Sequence, residues 1–526
     1  MELIKRFPLW LLSGILYGLS WPIFKEINLS FLAWFAFVPL FLFLEKNKDK
    51  FVKSMSGSYL AMIVFGCFSA GWLFNFPQSK LQIAVIFFLE ELWFFIPFLI
   101  FYPIQRKIGF DKALWLFPFI WMLWEWTYLD LEFTMGTHLS AYSQSNNLWL
   151  IQYIDITGMW GISFWLLLFN VLIFKAYKSV NYAIKNLQFY KKIAFISLFM
   201  LGIPLLYSAS VFSKHKMLRG KNLKVTLLPT QFSAQYLLNQ QNKISSIEQT
   251  LHRTDSIAFT MKDQNTYSDL YVWPETGLPF SMKDANLKTL FSSAVRDWES
   301  ALLTGGKEIP ENYSKTDQRM YTSGILVSHQ NEKSLYHRKT KMTPGQEIIP
   351  YHNILAKIPE FPIKETSPKY YKTGKKSKPL LLITRKKEKF LLGISLCYEQ
   401  WYPKHWTTLA KNGAELYVHL AGEGWYGNVG FMQFMANVSK MRSIENRRQT
   451  ARCANVGMSG FIDQIGQYHH LSKKGSLNAV SSKIYASNKI TWYAKHPDWF
   501  PLLGLVIFLI SLLFQVYNQQ FYKHLK

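Results

Sequence analysis

Three potentially reactive side chains each stand in or after a short, well-defined segment of the sequence. Glu275 follows an apolar run in Trp273-Pro274-Glu275, and a carboxylate held by a proline-fixed turn is placed like a catalytic base. Cys397 closes another apolar run and precedes a polar turn, as a nucleophile between a strand and a helix would. A third segment, 336–347, holds several basic residues, and a thiolate would need a nearby cation or base to form.

Each of these side chains also has a plain structural interpretation. Glu275 could be a turn acid, Lys339 a solvated loop residue, and Cys397 a small buried hydrophobe. Of the other two cysteines, Cys67 lies in an apolar run, and Cys453 lies in a strand-like run with no acidic or turn residue beside it. Cys453 therefore fits a buried role better than Cys397 does, although a disulfide between these two stays open from the sequence.

Taken in chain order, the three segments resemble the nitrilase superfamily, whose signature is Glu, then Lys, then Cys. The resemblance extends to Trp-Pro-Glu at 273–275, to the lysine followed by proline and glutamate, and to Cys-Tyr-Glu at 397–399. Two later segments, 424–427 and 442–448, match further landmarks of that family. The resemblance implies an α-β-β-α sandwich.

The same resemblance assigns a role to each candidate site residue. Glu275 is the base, Cys397 the nucleophile, and Lys339 offsets charge on the thiolate and on the oxyanion. The resemblance implies four supporting residues: Glu347 as a second carboxylate, Tyr398 and Glu399 behind the nucleophile, and Trp425 in the later Gly-Trp-Tyr-Gly landmark. It implies no cofactor and no metal ion.

The composition of the remaining chain indicates two different environments. A chain of 526 residues is too long for a single ordinary core, and 49% of it is hydrophobic, yet its mean hydropathy is only +0.02. A membrane bundle joined to a water-soluble domain explains both values. The net charge of +26 is compatible with nucleic acid or an anionic membrane. The long apolar segments favour the membrane, and we expect no nucleic-acid partner.

Eight mostly apolar segments predict membrane-spanning helices. They lie at about 8–24, 28–44, 56–76, 82–104, 113–129, 150–174, 193–212 and 499–517. With the N-terminus in the cytoplasm, the inside segments hold fourteen Lys and Arg residues before position 213, whereas the short outside loops hold only Lys25 and Lys80. This asymmetry places the long segment 213–498 outside the cytoplasm.

The expected organisation is therefore a membrane α-helical bundle of about eight spans with an inserted nitrilase-like α-β-β-α sandwich domain. Residues 1–212 form the seven-span bundle, 213–498 the extracytoplasmic catalytic domain, and 499–526 the C-terminal span and tail. In 213–498, short β-branched and aliphatic runs alternate with helical stretches, which is typical of a layered α/β domain.

This arrangement is similar to that of the apolipoprotein N-acyltransferases. Tyr-Ser-Gln at 142–144 and the segment 158–164 agree with patterns of that family. The resemblance implies transfer of a fatty acyl group from a phospholipid, through a cysteine thioester, to the free α-amine of a diacylglyceryl-cysteine at a lipoprotein N-terminus. It implies a monomer in a bacterial inner membrane with its catalytic domain facing the periplasm. The alternative is a membrane-tethered carbon-nitrogen hydrolase that acts on a small amide.

Some positions depart from the family pattern or need a separate explanation. Gly422-Glu423 stand where the family usually has Asn-Asp, which puts the shape of the acyl pocket in question. Glu90 and Glu91 fall inside a predicted span, and we expect them in the interior of the bundle. For Glu125, near the end of another span, we expect a place at the membrane interface.

Overall fold

The computed structural model describes residues 8–24, 27–75, 80–181, 187–214, 220–232, 236–331, 333–355, 357, 370–424, 427 and 429–524. The chain divides into two compact units. The first combines Met1–Lys214 with His496–Lys526, and the second is formed by His215–Lys495.

The first unit consists of helices and short 3-10 turns. Its helices are α1 (Leu9–Leu19), α2 (Val38–Lys46), α3 (Phe51–Ser69), α4 (Lys80–Ile108), α5 (Phe110–Ala113), α6 (Phe117–Tyr128), α7 (Leu148–Ile151), α8 (Ile154–Thr157), α9 (Trp160–Asn181), α10 (Leu187–Lys214) and a C-terminal helix, Trp499–His524. The 3-10 turns are Ser30–Trp34, Gly71–Asn75, Leu114–Leu116 and Ser140–Gln144.

The membrane character of this unit is confirmed, but the count of eight spans is not. Within the described residues, five helices are long and apolar enough to cross a bilayer: Phe51–Ser69, Ile83–Ile108, Trp160–Ser179, Lys191–Lys214 and Trp499–Gln519. The segment expected at 28–44 is instead a 3-10 turn followed by α2, which has 9 residues and a proline in its first turn. A helix of that length rises only about 14 Å, well short of the hydrocarbon core.

Buried carboxylates lie inside the helical unit. Glu90 and Glu91 are fully buried, as expected, and Glu90 faces His138 with a carboxylate–Nδ1 distance of 3.1 Å. Glu125 is also fully buried, and its expected place at the membrane interface stays a prediction. Its Oε1 accepts hydrogen bonds from Trp121 Nε1 at 2.9 Å and from the Ser140 N–H and hydroxyl, both at 2.7 Å. The 3-10 turn that begins at Ser140 supplies the donors that make burial of this carboxylate tolerable.

The second unit contains two β-sheets with helices on their outer faces. One sheet holds β1 (Asn222–Leu227), β2 (Leu270–Val272), β3 (Leu278–Ser281), β4 (Ala301–Glu308), β5 (Tyr321–Ser328), β6 (Leu335–Arg338) and β13 (Val480–Tyr485). The other holds β7 (Leu380–Ile383), β8 (Lys389–Leu396), β9 (Leu416–Ala421), β10 (Thr450–Ala454), β11 (Gly460–Ile462) and β12 (Tyr468–His469). The helices are α11 (Gln240–Asp263), α12 (Ala285–Asp297), α13 (His352–Leu355), α14 (Pro403–Lys411), α15 (Val429–Asn446) and α16 (Trp492–Lys495).

Both sheets follow the same plan. The first runs in the order β13-β1-β2-β4-β5-β6, with β3 paired to β4, and the second runs β12-β11-β10-β9-β8-β7. In each sheet three neighbouring strands are parallel, β1-β2-β4 in one and β8-β9-β10 in the other, and antiparallel strands flank them. The carboxyl ends of parallel strands share one edge of a sheet, which is where α/β folds place their sites.

Alternation along the strands divides the core into layers. Val225, Val272 and Ile394 belong to one buried cluster that takes side chains from both sheets, so the sheets pack face to face. Tyr271 and Trp273 point to the opposite side of β2 and pack in a second cluster that includes residues of α11 and α12. The sandwich with helical outer layers is therefore confirmed.

Candidate active site

The three candidate catalytic residues all follow the carboxyl end of a strand. Glu275 comes three residues after β2, Lys339 directly follows β6, and Cys397 directly follows β8. Trp273 N–H donates to the Leu303 carbonyl at 2.9 Å and so extends the pairing with β4 as far as Pro274. The strands therefore deliver a carboxylate, an ammonium and a thiol to one region.

Lys339 lies between two carboxylates. Its Nζ is 2.9 Å from Glu275 Oε1 and 3.0 Å from Glu347 Oε1, and only 2% of the Lys339 side chain is exposed. Glu347 is fixed in turn, because its Oε2 accepts a hydrogen bond from the Thr343 N–H at 2.7 Å. The structure thus brings Glu275 next to Lys339 and Glu347. Glu275 is far from both in the sequence, and Glu347 lies in the loop that follows β6.

Cys397 begins a 3-10 turn, Cys397–Trp401, in an unusual backbone conformation. Its φ is +42°, which is uncommon for a residue with a side chain and is typical of strained functional sites. Its Sγ lies 3.7 Å from the Gly422 carbonyl oxygen and within hydrogen-bonding reach of the Glu275 carboxylate. The sharp turn aims the thiol at the base and away from its own strand.

Two glycines allow the backbone to approach Glu275 closely. A β-carbon on Gly422 would lie 2.2 Å from Glu275 Oε2, and one on Gly305 would lie 2.1 Å from the Glu275 carbonyl oxygen. Both distances are far below van der Waals contact, so a side chain at 422 would displace the Glu275 carboxylate and one at 305 would displace the Glu275 backbone. Gly422, where the sequence suggested a departure from the family pattern, therefore lies directly beside Glu275.

The charges of the site are strongly coupled. Burial raises the pKa of Glu275 above its ordinary value, although the neighbouring Lys339 ammonium acts in the opposite direction. Burial would lower the pKa of Lys339, but the charges of Glu275 and Glu347 outweigh it and raise that pKa. Burial and the charge of Glu275 raise the pKa of the Cys397 thiol. The resting site therefore holds a charged lysine beside a protonated thiol, with a carboxylate positioned to take its proton.

Glu399 joins the lysine segment to the cysteine turn. Its Oε1 accepts hydrogen bonds from the Thr340 N–H and hydroxyl, both at 2.7 Å, and its Oε2 accepts one from the Leu396 N–H at 2.8 Å. Thr340 follows Lys339, and Leu396 precedes Cys397. Glu399 is fully buried and its pKa is lowered: burial opposes that shift, but His405, His337 and the hydrogen bonds to the carboxylate outweigh it. Glu399 is therefore an ionised carboxylate that links the segment after Lys339 to the strand before Cys397 by hydrogen bonds.

The other expected supporting residues have different outcomes. Tyr398 is buried beside the nucleophile, and its hydroxyl lies 3.3 Å from that of Tyr402. Trp425 lies outside the described residues. Glu423 forms a fully buried ion pair with Arg452, while its own N–H donates to Asn455 Oδ1 at 2.7 Å. That ion pair explains how an acidic residue is held next to Gly422.

Cys453 lies in the core and not at the site. It is fully buried in β10, its Sγ lies 3.3 Å from the Val272 carbonyl, and burial raises its pKa to about 12. All three cysteines are free, so the disulfide that the sequence left open does not form. His337 and His405, which contact Glu399, were not predicted from the sequence. Their contacts join positions on separate strands and helices. The Tyr-His pair just before Arg338-Lys339 was the available signal for His337.

Comparisons with known proteins agree with this geometry. Residues 13–172 match the apolipoprotein N-acyltransferase N-terminal domain, and residues 233–487 match the carbon-nitrogen hydrolase domain. The apolipoprotein N-acyltransferase of Chlorobaculum tepidum is 30% identical over 96% of this chain and 95% of its own length. This chain belongs to the apolipoprotein N-acyltransferase family.

Other comparisons extend over the same regions. Apolipoprotein N-acyltransferase 1 of Treponema denticola is 24% identical over 97% of this chain and 96% of its own length. Among solved structures, Nit3 of Saccharomyces cerevisiae aligns with a TM-score of 0.36 and 15% identity over 54% of this chain and 96% of that chain. In this member of the apolipoprotein N-acyltransferase family, the residues grouped around Lys339 all fall within the carbon-nitrogen hydrolase match.

Proposed function

We propose that this chain transfers a fatty acyl group from a membrane phospholipid to the free α-amine of the N-terminal diacylglyceryl-cysteine of lipoproteins, with Glu275, Lys339 and Cys397 as its catalytic triad. The observation that carries the assignment is the buried Lys339 Nζ, 2.9 Å from Glu275 and 3.0 Å from Glu347, beside a thiol in a strained turn. Family membership supports the choice of substrates, and the geometry supports the choice of residues.

The first half-reaction loads the enzyme. Glu275 takes the proton from Cys397 as Sγ attacks the ester carbonyl of the phospholipid. Lys339 and a backbone N–H near Cys397 stabilise the negative oxygen of the tetrahedral intermediate. When this intermediate collapses, the lysophospholipid leaves with the proton from Glu275, and the acyl group remains on Cys397 as a thioester.

The second half-reaction transfers the acyl group from Cys397 to the lipoprotein. The α-amine of the lipoprotein attacks the thioester carbonyl, Glu275 accepts a proton from the amine, and the Cys397 sulfur leaves and regains a proton. Glu347 orients Lys339 or the incoming amine, since it contacts the same ammonium from the other side. The amide product is more stable than the thioester, so this step runs downhill.

The site must work next to a membrane. We assign the protein to the bacterial inner membrane as a multi-pass monomer, with its catalytic unit facing the periplasm. The distribution of Lys and Arg residues across the short loops supports this orientation. A lipid donor and a lipid-anchored acceptor explain why a carbon-nitrogen hydrolase fold is joined to apolar helices.

Mass spectrometry of a lipoprotein N-terminus tests this function in cells. Cells that hold the wild-type chain as their sole candidate acyltransferase should yield lipoproteins with three acyl chains. Cells with the Cys397→Ala variant at equal abundance should yield two chains and a free α-amine. Equal two-chain products from both would contradict the proposal, and release of ammonia from small amides would favour the hydrolase alternative.

A further inference from the structure

Two histidines face the Glu399 carboxylate at Oε2, the oxygen that also accepts from the Leu396 N–H. His337 Nε2 lies 3.3 Å and His405 Nε2 lies 3.5 Å from Glu399 Oε2. His337 belongs to β6 and His405 to α14, and both are almost fully buried. A strand and a helix therefore each bring a histidine to one ionised carboxylate.

The contacts of His405 define its tautomer. Its Nε2 lies 3.1 Å from the Ile394 carbonyl oxygen, which can only accept, so this nitrogen carries a hydrogen. The Ser377 hydroxyl lies 3.0 Å from Nδ1 and can donate to it. Burial lowers the pKa of His405, which favours the neutral ring with its hydrogen on Nε2.

The contacts of His337 also indicate a hydrogen on Nε2. Its Nε2 faces a carboxylate that is ionised and can only accept, so Nε2 donates. Its Nδ1 is buried and has no hydrogen-bond partner within the described part of the chain. Among the described residues, Glu399 is thus the polar group that orients this ring, and the two imidazoles pack edge-on with their centroids 5.5 Å apart.

We propose that His337 and His405 are positioning residues for the acyl transfer. The His337 Nε2–H group donates to Glu399 Oε2, while His405, fixed by its own Nε2–H bond to the Ile394 carbonyl, packs against the same oxygen at 3.5 Å. Together the two rings hold the carboxylate in the orientation in which it accepts hydrogen bonds from the Leu396 and Thr340 N–H groups. Glu399 then fixes the spacing between Lys339 and Cys397. The histidines act through Glu399 and touch neither substrate nor the reacting atoms. This inference rests on the proposed function for its activity measurements.

A bound metal ion is the other chemistry that two histidines and a glutamate could support. Their ligand atoms all lie within 4.8 Å of one another. However, the hydrogen on His405 Nε2 is engaged by Ile394, and both Glu399 oxygens already accept backbone hydrogen bonds. Hydrogen bonding around Glu399 accounts for these contacts without a metal ion, and metal analysis is included in the test.

The test compares two substitutions at each histidine in the full-length protein. Glutamine places an N–H near the position of Nε2, so His337→Gln and His405→Gln keep the donor. Leucine has a similar size without a donor, so His337→Leu and His405→Leu remove it. If a leucine variant fails to fold, asparagine, which is polar but too short to reach Glu399, takes its place. Melting temperature, kcat, KM and the rate of Cys397 alkylation by iodoacetamide are measured for each.

The proposal expects leucine variants with kcat roughly 10- to 100-fold lower and KM within about twofold, because a small misplacement of catalytic groups slows chemistry more than binding. Glutamine should restore kcat to within about threefold. Leucine introduced together with Glu399→Gln should add less than about twofold, since the histidines act through that carboxylate.

Three results would overturn the inference. These are unchanged kcat in folded leucine variants, equal impairment by glutamine and leucine, and one equivalent of bound transition metal in the purified wild-type protein. If the wild-type protein accepted no acyl group at all, the proposed function would fail instead. The alkylation rate of Cys397 would then still report whether the histidines position the thiol.

Discussion

Gly422 lies so close to Glu275 that a β-carbon on it would come within 2.2 Å of Glu275 Oε2. The same glycine places its carbonyl oxygen 3.7 Å from Cys397 Sγ. One residue without a side chain therefore borders both the base and the nucleophile. The loop after β9 is as much a part of the site as the three segments that carry reactive groups.

Gly422→Ala should lower kcat/KM by roughly 100-fold, because the added methyl must move either the carboxylate or the loop, and small displacements of catalytic groups have effects of that size. Acyl transfer to a lipoprotein peptide is the measurement. Gly202→Ala is the matched control, since nothing lies within 4 Å of a β-carbon there. Equal activity of both variants would show that Glu275 tolerates displacement.

Cys397→Ala should abolish transfer, with a loss of at least about 10³-fold, because no other thiol reaches Glu275. Cys453→Ala should retain activity within about threefold and lose about 1 kcal/mol of stability, since it removes a sulfur from the core between the sheets. Turnover and thermal unfolding measure the two effects. An acyl-thioester trapped on Cys453 would refute the assignment.

On the acid side of the pH profile, kcat/KM should fall at a pH above the ordinary pKa of a glutamate. Glu275 acts as a base only when ionised, and burial raises its pKa. Lowering the pH therefore protonates Glu275 and stops acylation at a pH higher than an exposed glutamate, with a pKa near 4.3, would require. The dependence of kcat/KM on pH reports this group in the free enzyme. A profile that is flat down to about pH 4 would contradict the role of Glu275.

Reporter fusions test the orientation of the catalytic unit. A reporter that is active only outside the cytoplasm should give a signal when fused after residue 490, and none when fused after residue 526. The expectation follows from the excess of Lys and Arg residues in the segments assigned to the cytoplasm. A cytoplasmic catalytic unit would separate the enzyme from its proposed lipoprotein substrate.

Much of the site could be predicted because its residues sit next to strands with clear apolar patterns. The strand ending at Leu396 and the turn at Cys397 are visible as an apolar run followed by polar residues. Contacts such as Glu399 with His405 depend on how α14 packs on the second sheet, and local sequence carries no signal for that. The full burial of Glu125 was not predicted for the same reason, because its donors come from a turn fifteen residues away.

The helical unit was harder to predict than the catalytic one. Hydropathy identifies apolar segments but not the 3-10 turns and prolines that interrupt them, as between Ser30 and Val38. A segment that packs against other helices can be apolar without forming a helix long enough to cross the membrane. The predicted count of spans therefore exceeds the number of long helices in the described part of the unit.

The mass of the intact protein provides the most direct test of the central claim, which is acyl transfer through Cys397. Purified protein given phospholipid alone should gain the mass of one acyl group, and this adduct should persist. Adding a diacylglyceryl-cysteine peptide with a free α-amine should remove the adduct and acylate the peptide, while Cys397→Ala gains no mass at any stage. Rapid release of free fatty acid without peptide, or no acyl adduct on the wild-type protein, would contradict the account.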